Sequence, residues 1–243
     1  MKAIRNFTIL CLAIFTFGSC KKADTPTEAN VSFTFDNFVD EKAVEENTPL
    51  NYLNAAGNYY SVSLLKYYIS NIILVDTKGK EIELNNNDLI DAFGNNKTDS
   101  YTIPNGEYRQ MKFIFGVNAE NNTSGDQSGD LDPSNGMLWS WNTGYIFFKH
   151  EGKYVDNANA EQPLEFHYGG VGNQIEVELN NLGLKIDGED KEAFLSFNLN
   201  NMYNNPKIDY NDGDFRHSGA NDADWVDAIK ANMSNVFTFN GSF

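Results

Sequence analysis

Apolar residues in this chain recur at every second position in short runs, and almost every run is closed by a cluster of Asn, Asp and Gly. A period of two with turn chemistry between the runs is satisfied by β-strands and by little else. Val31-Ser32-Phe33-Thr34-Phe35 alternates cleanly. Tyr59 to Ile69, Ser70 to Val75, Arg109 to Val117, Leu164 to Gly170, Gln174 to Leu179, Ala193 to Leu199 and Val236 to Phe239 read as further strands. Asp76-Thr77-Lys78-Gly79-Lys80 is a good hairpin turn into Glu81-Ile82-Glu83-Leu84. Leu64 to Tyr68 also fits one helical turn. Asp224 to Met233 has the best helical pattern, with Trp225, Ala228, Ile229 and Asn232 on one face. With 243 residues, no internal repeat and no interdomain linker, the expectation is an all-β fold: a single-domain β-sandwich with long polar loops and one short helix near the C-terminus.

The first segment stands apart from that domain. Lys2 and Arg5 form a short basic region, Phe7 to Phe17 an apolar run too short to cross a bilayer comfortably, and Phe17-Gly18-Ser19 leads into Cys20. This resembles a bacterial lipobox, in which the signal is cut before the cysteine and Cys20 becomes the lipidated first residue; the alternative is an ordinary secretory signal. The expected layout is a signal peptide over 1–19, a tether over 20–30 containing Pro26, and the sandwich over 31–243. Cleavage also removes Cys11, so the remaining cysteine carries lipid and neither disulfide nor cysteine chemistry is expected. It takes the formal charge from −16 to −18, because 18 basic residues become 16 while all 34 acidic ones stay. Such a surface disfavours nucleic acid and favours cations. The expected location is the bacterial cell envelope, with the lipid on Cys20 as the contact to a membrane, either the outer membrane or a periplasm-facing leaflet.

Unusual chemistry concentrates between Met137 and His150, which holds two of the three tryptophans and one of the three histidines. Read as one strand, it places Trp139, Trp141, Tyr145 and Phe147 on one face and Ser140, Asn142, Gly144 and His150 on the other. Those rings are either sheet core or part of a site. There is no phosphate-cradling glycine motif, His-Glu-x-x-His helix or Gly-x-Ser-x-Gly elbow, so a non-enzymatic protein is expected. His167 at a strand end beside two glycines and His217 in an Asp/Gly loop are the imidazole candidates, while His150 reads as solvent-exposed at a strand end. Imidazole suits copper or zinc. An intact indole offers a metal only its ring face, because its nitrogen donates a hydrogen and has no free lone pair. The polar loop 118–136 carries Glu120, Asp126, Asp130 and Asp132; Asp126, Asp130 and Asp132, or Asp212 and Asp214 further on, supply hard oxygens of the kind calcium takes, though without EF-hand spacing.

Tyr67-Tyr68-Ile69-Ser70-Asn71-Ile72, Pro104-x-Gly106-x-Tyr108, Phe115-Gly116-Val117-Asn118, Leu131-Asp132-Pro133, Met137-Leu138-Trp139-Ser140-Trp141-Asn142-x-Gly144-Tyr145-x-Phe147 and Phe166-His167-Tyr168-Gly169, with the Ala-Asn-rich terminal helix, together resemble the MbnP family. The likeness runs from about Val31 to the end, and the tryptophan segment with Phe166-His167-x-Gly169 is its most specific part. It implies a β-sandwich associated with methanobactin that binds copper through histidines and a tryptophan oxidised to kynurenine by a di-haem partner of the MauG type. Ring opening leaves an aryl amine with a lone pair, a donor suited to Cu(I). Carried over by position, the tryptophans are Trp139 and Trp141 and the imidazoles His167 and His217. Relatives with a histidine in the first strand differ from this chain, which reads Phe35-Asp36-Asn37-Phe38 there. The expectation is a lipid-anchored copper-binding protein; the competing one is a surface module that binds glycan or protein through exposed rings, with calcium in its acidic loops.

Overall fold

A computed structural model describes residues 26–125, 127–139, 144–212 and 223–243. Its strands, in chain order, are β1 (Glu28–Val39), β2 (Lys42–Ala43), β3 (Tyr52–Leu53), β4 (Tyr59–Asp76), β5 (Glu81–Glu83), β6 (Asn87–Asp91), β7 (Tyr101–Pro104), β8 (Gly106–Phe115), β9 (Ile146–Val155), β10 (Glu161–Gly169), β11 (Ile175–Ile186), β12 (Lys191–Asn198) and β13 (Phe237–Ser242), with one α-helix, α1 (Ala223–Asn232). They form two sheets. One runs β13-β12-β1-β2 with β7 also on β1; the other runs β10-β9-β4-β8-β11 with β3, β5 and β6 on β4. The all-β sandwich with one short helix near the C-terminus is thus the fold.

The alternation in β1 works as its sequence requires. Val31, Phe33 and Phe35 are fully buried, as are Ala193, Leu195 and Phe197 on β12, which pairs with β1 in parallel. Facing them, Tyr67, Ile69, Phe115 and Phe148 are also fully buried on the second sheet. Phe237 of β13 sits at the centre of this layer, edge-on to Phe113 at 5.1 Å, Phe197 at 5.3 Å and Phe115 at 5.9 Å, while Tyr67 stacks on Phe197 at 4.6 Å. Each such ring withdrawn from water contributes about 1.5–3 kcal/mol, and each edge-to-face pair roughly another 0.5–1.5 kcal/mol.

β4 is the spine of the second sheet. Its 18 residues form one strand where two runs were expected, and Leu64 to Tyr68 is extended rather than helical. Register shifts between Ser70 and Ile73, where Asn71 takes a left-handed φ of 49°. The Asn86 side chain repairs the ladder there: its Oδ1 accepts from Ile72 N at 2.8 Å and its Nδ2 donates to Ile69 O at 3.0 Å. Loop 118–136 is pinned to this sheet. Tyr68 Oη donates to the Asp130 carbonyl at 2.8 Å, Tyr145 Oη to the Leu131 carbonyl at 2.7 Å, and Leu89 N to the Asp130 carboxylate at 2.6 Å.

α1 buries Val226, Ala228, Ile229 and Asn232, in line with the predicted face, and lays half-buried Trp225 against Phe166 at 4.7 Å. Asn232 fixes its end by donating to the Met202 and Pro206 carbonyls at 2.8 and 3.0 Å and accepting from Asn205 N at 3.0 Å. Among the described residues no helix is long and apolar enough to cross a membrane.

Candidate metal centre

The segment from Met137 to His150 is not one strand. Leu138 and Tyr145 form an isolated antiparallel bridge, Trp139 N donates to the Gly144 carbonyl at 3.2 Å and Ile146 N to the Met137 carbonyl at 2.7 Å, so the chain folds back on itself before β9 begins at Ile146. Two neighbours enforce the reversal. Gly144 takes φ 88°, and a Cβ there would stand 2.2 Å from Asn122 Oδ1. That same Oδ1 accepts from Tyr145 N at 2.8 Å. A period of two along a strand and along two arms of a reversal look alike in sequence, which is why the single-strand reading fails. The three described rings among those it picked out are nevertheless interior: Trp139 is 5% exposed and Tyr145 and Phe147 are 0% exposed, so these three do not form an open stacking surface.

β9 and β10 pair with His167 opposite Lys149 and Phe166 opposite His150. Alternation therefore sends His167, Lys149 and Glu151 to one face of the sheet and Phe148, His150 and Phe166 to the other. The first face carries the arm with Trp139. The indole and the His167 imidazole lie 6.4 Å apart between ring centroids, inclined at 59°. His167 is buried, and its Nε2 lies 2.9 Å from Glu151 Oε1. Lys149 Nζ lies 3.3 Å from the same oxygen and also donates to the Gly136 carbonyl at 3.2 Å. Burial works to raise the Glu151 pKa, but the bonds from His167 and Lys149 hold it below the usual carboxylate range.

His150 contradicts its expected exposure. It is fully buried in mid-strand, because the outward Lys149 and Glu151 on either side leave it pointing inward. Its Nδ1 lies 2.8 Å from Tyr203 Oη, and Tyr60, Tyr203 and Phe148 surround it at 5.6, 6.0 and 6.5 Å. Burial pushes its pKa down to about 3, the Ser61 backbone and Glu151 opposing the fall and His167 adding to it. Nε2 has no partner at hydrogen-bond distance. This imidazole is a core group on the face of the sheet away from Trp139.

Of the other predicted residues, Cys20, Trp141, His217, Asp126 and Asp214 lie outside the described residues. Asp132 is occupied as a cap, accepting from Ser134 N at 2.8 Å, and burial raises the pKa of Asp130 while Leu89 N opposes the rise. Among the described residues no three His, Cys, Asp or Glu side chains gather as a metal would require. What they do supply is an imidazole held from behind by a carboxylate, the arrangement usual for a ligating histidine, with a tryptophan beside it. Of the two rings only the imidazole has a nitrogen lone pair for a metal, of the kind zinc or copper takes, since an intact indole nitrogen has none. Sequence reasoning missed Glu151 and Lys149. Their role depends on strand register, although the pattern Lys149-His150-Glu151, charged on both sides of a histidine, signals which way each side chain points.

The sequence model of the MbnP family matches residues 28–222. Among solved structures, the chain is similar to MbnP from Methylosinus trichosporium, with a TM-score of 0.60 and 18% identity over 88% of this chain and 98% of that one. At that identity the likeness speaks for the fold. No curated protein matches the sequence. The family match spans most of the chain, including Trp139 and His167, and the chain belongs to the MbnP family.

Proposed function

We propose that this chain is an extracytoplasmic copper-binding protein, held to the cell envelope by lipid on Cys20, that uses the His167 imidazole and an oxidised Trp139 as copper ligands. The observation that supports it most is the meeting of a buried indole and a buried imidazole at 6.4 Å on one face of the sheet, within a member of the MbnP family. In this reading Trp139 is the tryptophan taken as the ligand, with Trp141 the other candidate, and His217 supplies a second imidazole. Conversion to kynurenine breaks the indole C2–C3 bond as one oxygen atom is added to each carbon; water then removes C2 as formate and leaves an aryl amine. The oxidant is hydrogen peroxide, two molecules per tryptophan, each giving up one oxygen atom and leaving as water, handled by a di-haem enzyme of the MauG type. The amine and the imidazole nitrogen are donors that suit copper, and the low exposure of both rings keeps water out.

The residues of this chain do the positioning. The reversal closed by Gly144 and Asn122 sets Trp139 over β10, and the β9–β10 register sets His167 beneath it. The test is Cu(I) titration of protein from its native host against a competing chromophoric chelator, for wild type and His167→Ala. Wild type is expected to take up copper and the variant to bind at least tenfold more weakly. Equal binding by the two removes His167 from the site.

A further inference from the structure

We infer that Glu151 is the positioning residue of this centre: its carboxylate fixes the His167 ring as the Nε2–H tautomer and, through Lys149, ties that ring to the arm bearing Trp139. The inference rests on the copper reading for its binding consequence but not for its structural one. Across the β9–β10 ladder Glu151 is the diagonal neighbour of His167, two residues beyond Lys149, so both side chains stand on the same face. One carboxylate oxygen, Oε1, serves two donors, with Nε2 at 2.9 Å and Lys149 Nζ at 3.3 Å.

An ionised carboxylate has no hydrogen to give, so across this bond Nε2 is the donor. In the neutral ring the lone pair then belongs to Nδ1, the nitrogen a copper ion would take. The same carboxylate fixes ring rotation and makes the imidazole a better donor. Lys149 extends the clamp: while paired with Glu151 it holds the Gly136 carbonyl at 3.2 Å, at the root of the arm that continues through fully buried Met137 to Trp139. Glu151 thus meets both halves of the centre, touching the imidazole directly and the tryptophan arm through one lysine.

A merely structural ion pair would alter stability and leave tautomer and affinity alone. The experiment compares wild type with Glu151→Met, which keeps the length and removes the acceptor, and Glu151→Gln, which keeps an acceptor oxygen. Nitrogen-15 NMR of the imidazoles in metal-free protein reads the tautomer, and chelator competition reads Cu(I) affinity. We expect Nε2–H in wild type, a shift toward Nδ1–H in the methionine variant with Cu(I) binding about 10–100-fold weaker, and substantial rescue of both by glutamine. Should the methionine variant fail to fold, Glu151→Asp, which withdraws the oxygens by one methylene, is expected to shift both readouts the same way. An unchanged tautomer and affinity overturns the inference. If wild type itself takes up no Cu(I), the copper reading fails while the tautomer shift still decides the role of Glu151.

Discussion

Replacing His150 with phenylalanine removes a titrating group from the centre of β9 and keeps a ring of similar size. Burial holds this imidazole neutral in the folded protein down to about pH 3, whereas in the unfolded chain it titrates near 6.5. Between those values the unfolded state binds the extra proton, so stability falls as pH drops, by roughly 1.4 kcal/mol per pH unit. Well above pH ~6.5 neither state is protonated and the group contributes no pH dependence. Going from pH 6.5, where the unfolded imidazole is already half protonated, to pH 4.5 should therefore cost wild type roughly 2.3 kcal/mol through this residue. The variant escapes that loss but removes one hydrogen-bond partner of Tyr203 Oη, 2.8 Å from Nδ1 in wild type, a pH-independent cost of about 1 kcal/mol. His150→Phe is then less stable than wild type at pH 7, equal to it somewhat below pH 6, and more stable at pH 4.5. Urea denaturation followed by tryptophan fluorescence across this range measures the difference, and the other acidic groups cancel from it. A stability difference that does not change with pH would refute the argument.

Two further substitutions test the packing. Phe237→Ala empties the centre of the aromatic layer, where the ring meets Phe113, Phe197 and Phe115 within 6 Å, and is expected to cost about 3–5 kcal/mol in the same denaturation assay. A loss below ~1 kcal/mol would contradict that core. Gly169→Ala places a Cβ 2.5 Å from the Tyr145 carbonyl oxygen and 3.0 Å from Phe147 N, backbone atoms that cannot rotate aside, so a loss of about 1–3 kcal/mol is expected. Because the clash lies at the root of the Trp139 arm, amide hydrogen exchange at Ile146 should speed up as well; an unchanged rate would show that the arm does not rest on this contact.

Much of the sandwich is legible in the sequence because a half-buried strand writes its own period. Val31, Phe33 and Phe35 alternate with Ser32 and Thr34, and the structure buries the first three completely. The hairpin at Asp76 is equally direct: its carboxylate accepts from Lys78 N and Lys80 N at 2.7 and 2.8 Å, the usual work of an aspartate that opens a turn. Where local pattern and tertiary path diverge, the reading fails. The reversal between Trp139 and Tyr145 depends on Asn122, which is 23 residues before the amide it accepts from. His150 reads as exposed at a strand end, but β9 continues past it and alternation with Phe148 turns it inward. The pairing of His167 with Glu151 is set by the β9–β10 register, which no single segment encodes. The nearness of Trp139 to His167 follows only from the family resemblance, since nothing local to either segment specifies that they meet.

Peptide mass spectrometry of protein taken from its native host, with bound metals quantified on the same sample, tests the central claim most directly. Kynurenine at Trp139 together with copper is expected. Kynurenine at Trp141 alone would move the ligand along the arm and leave the chemistry standing. Unmodified tryptophan and no copper, in protein from copper-replete cells, would contradict the account.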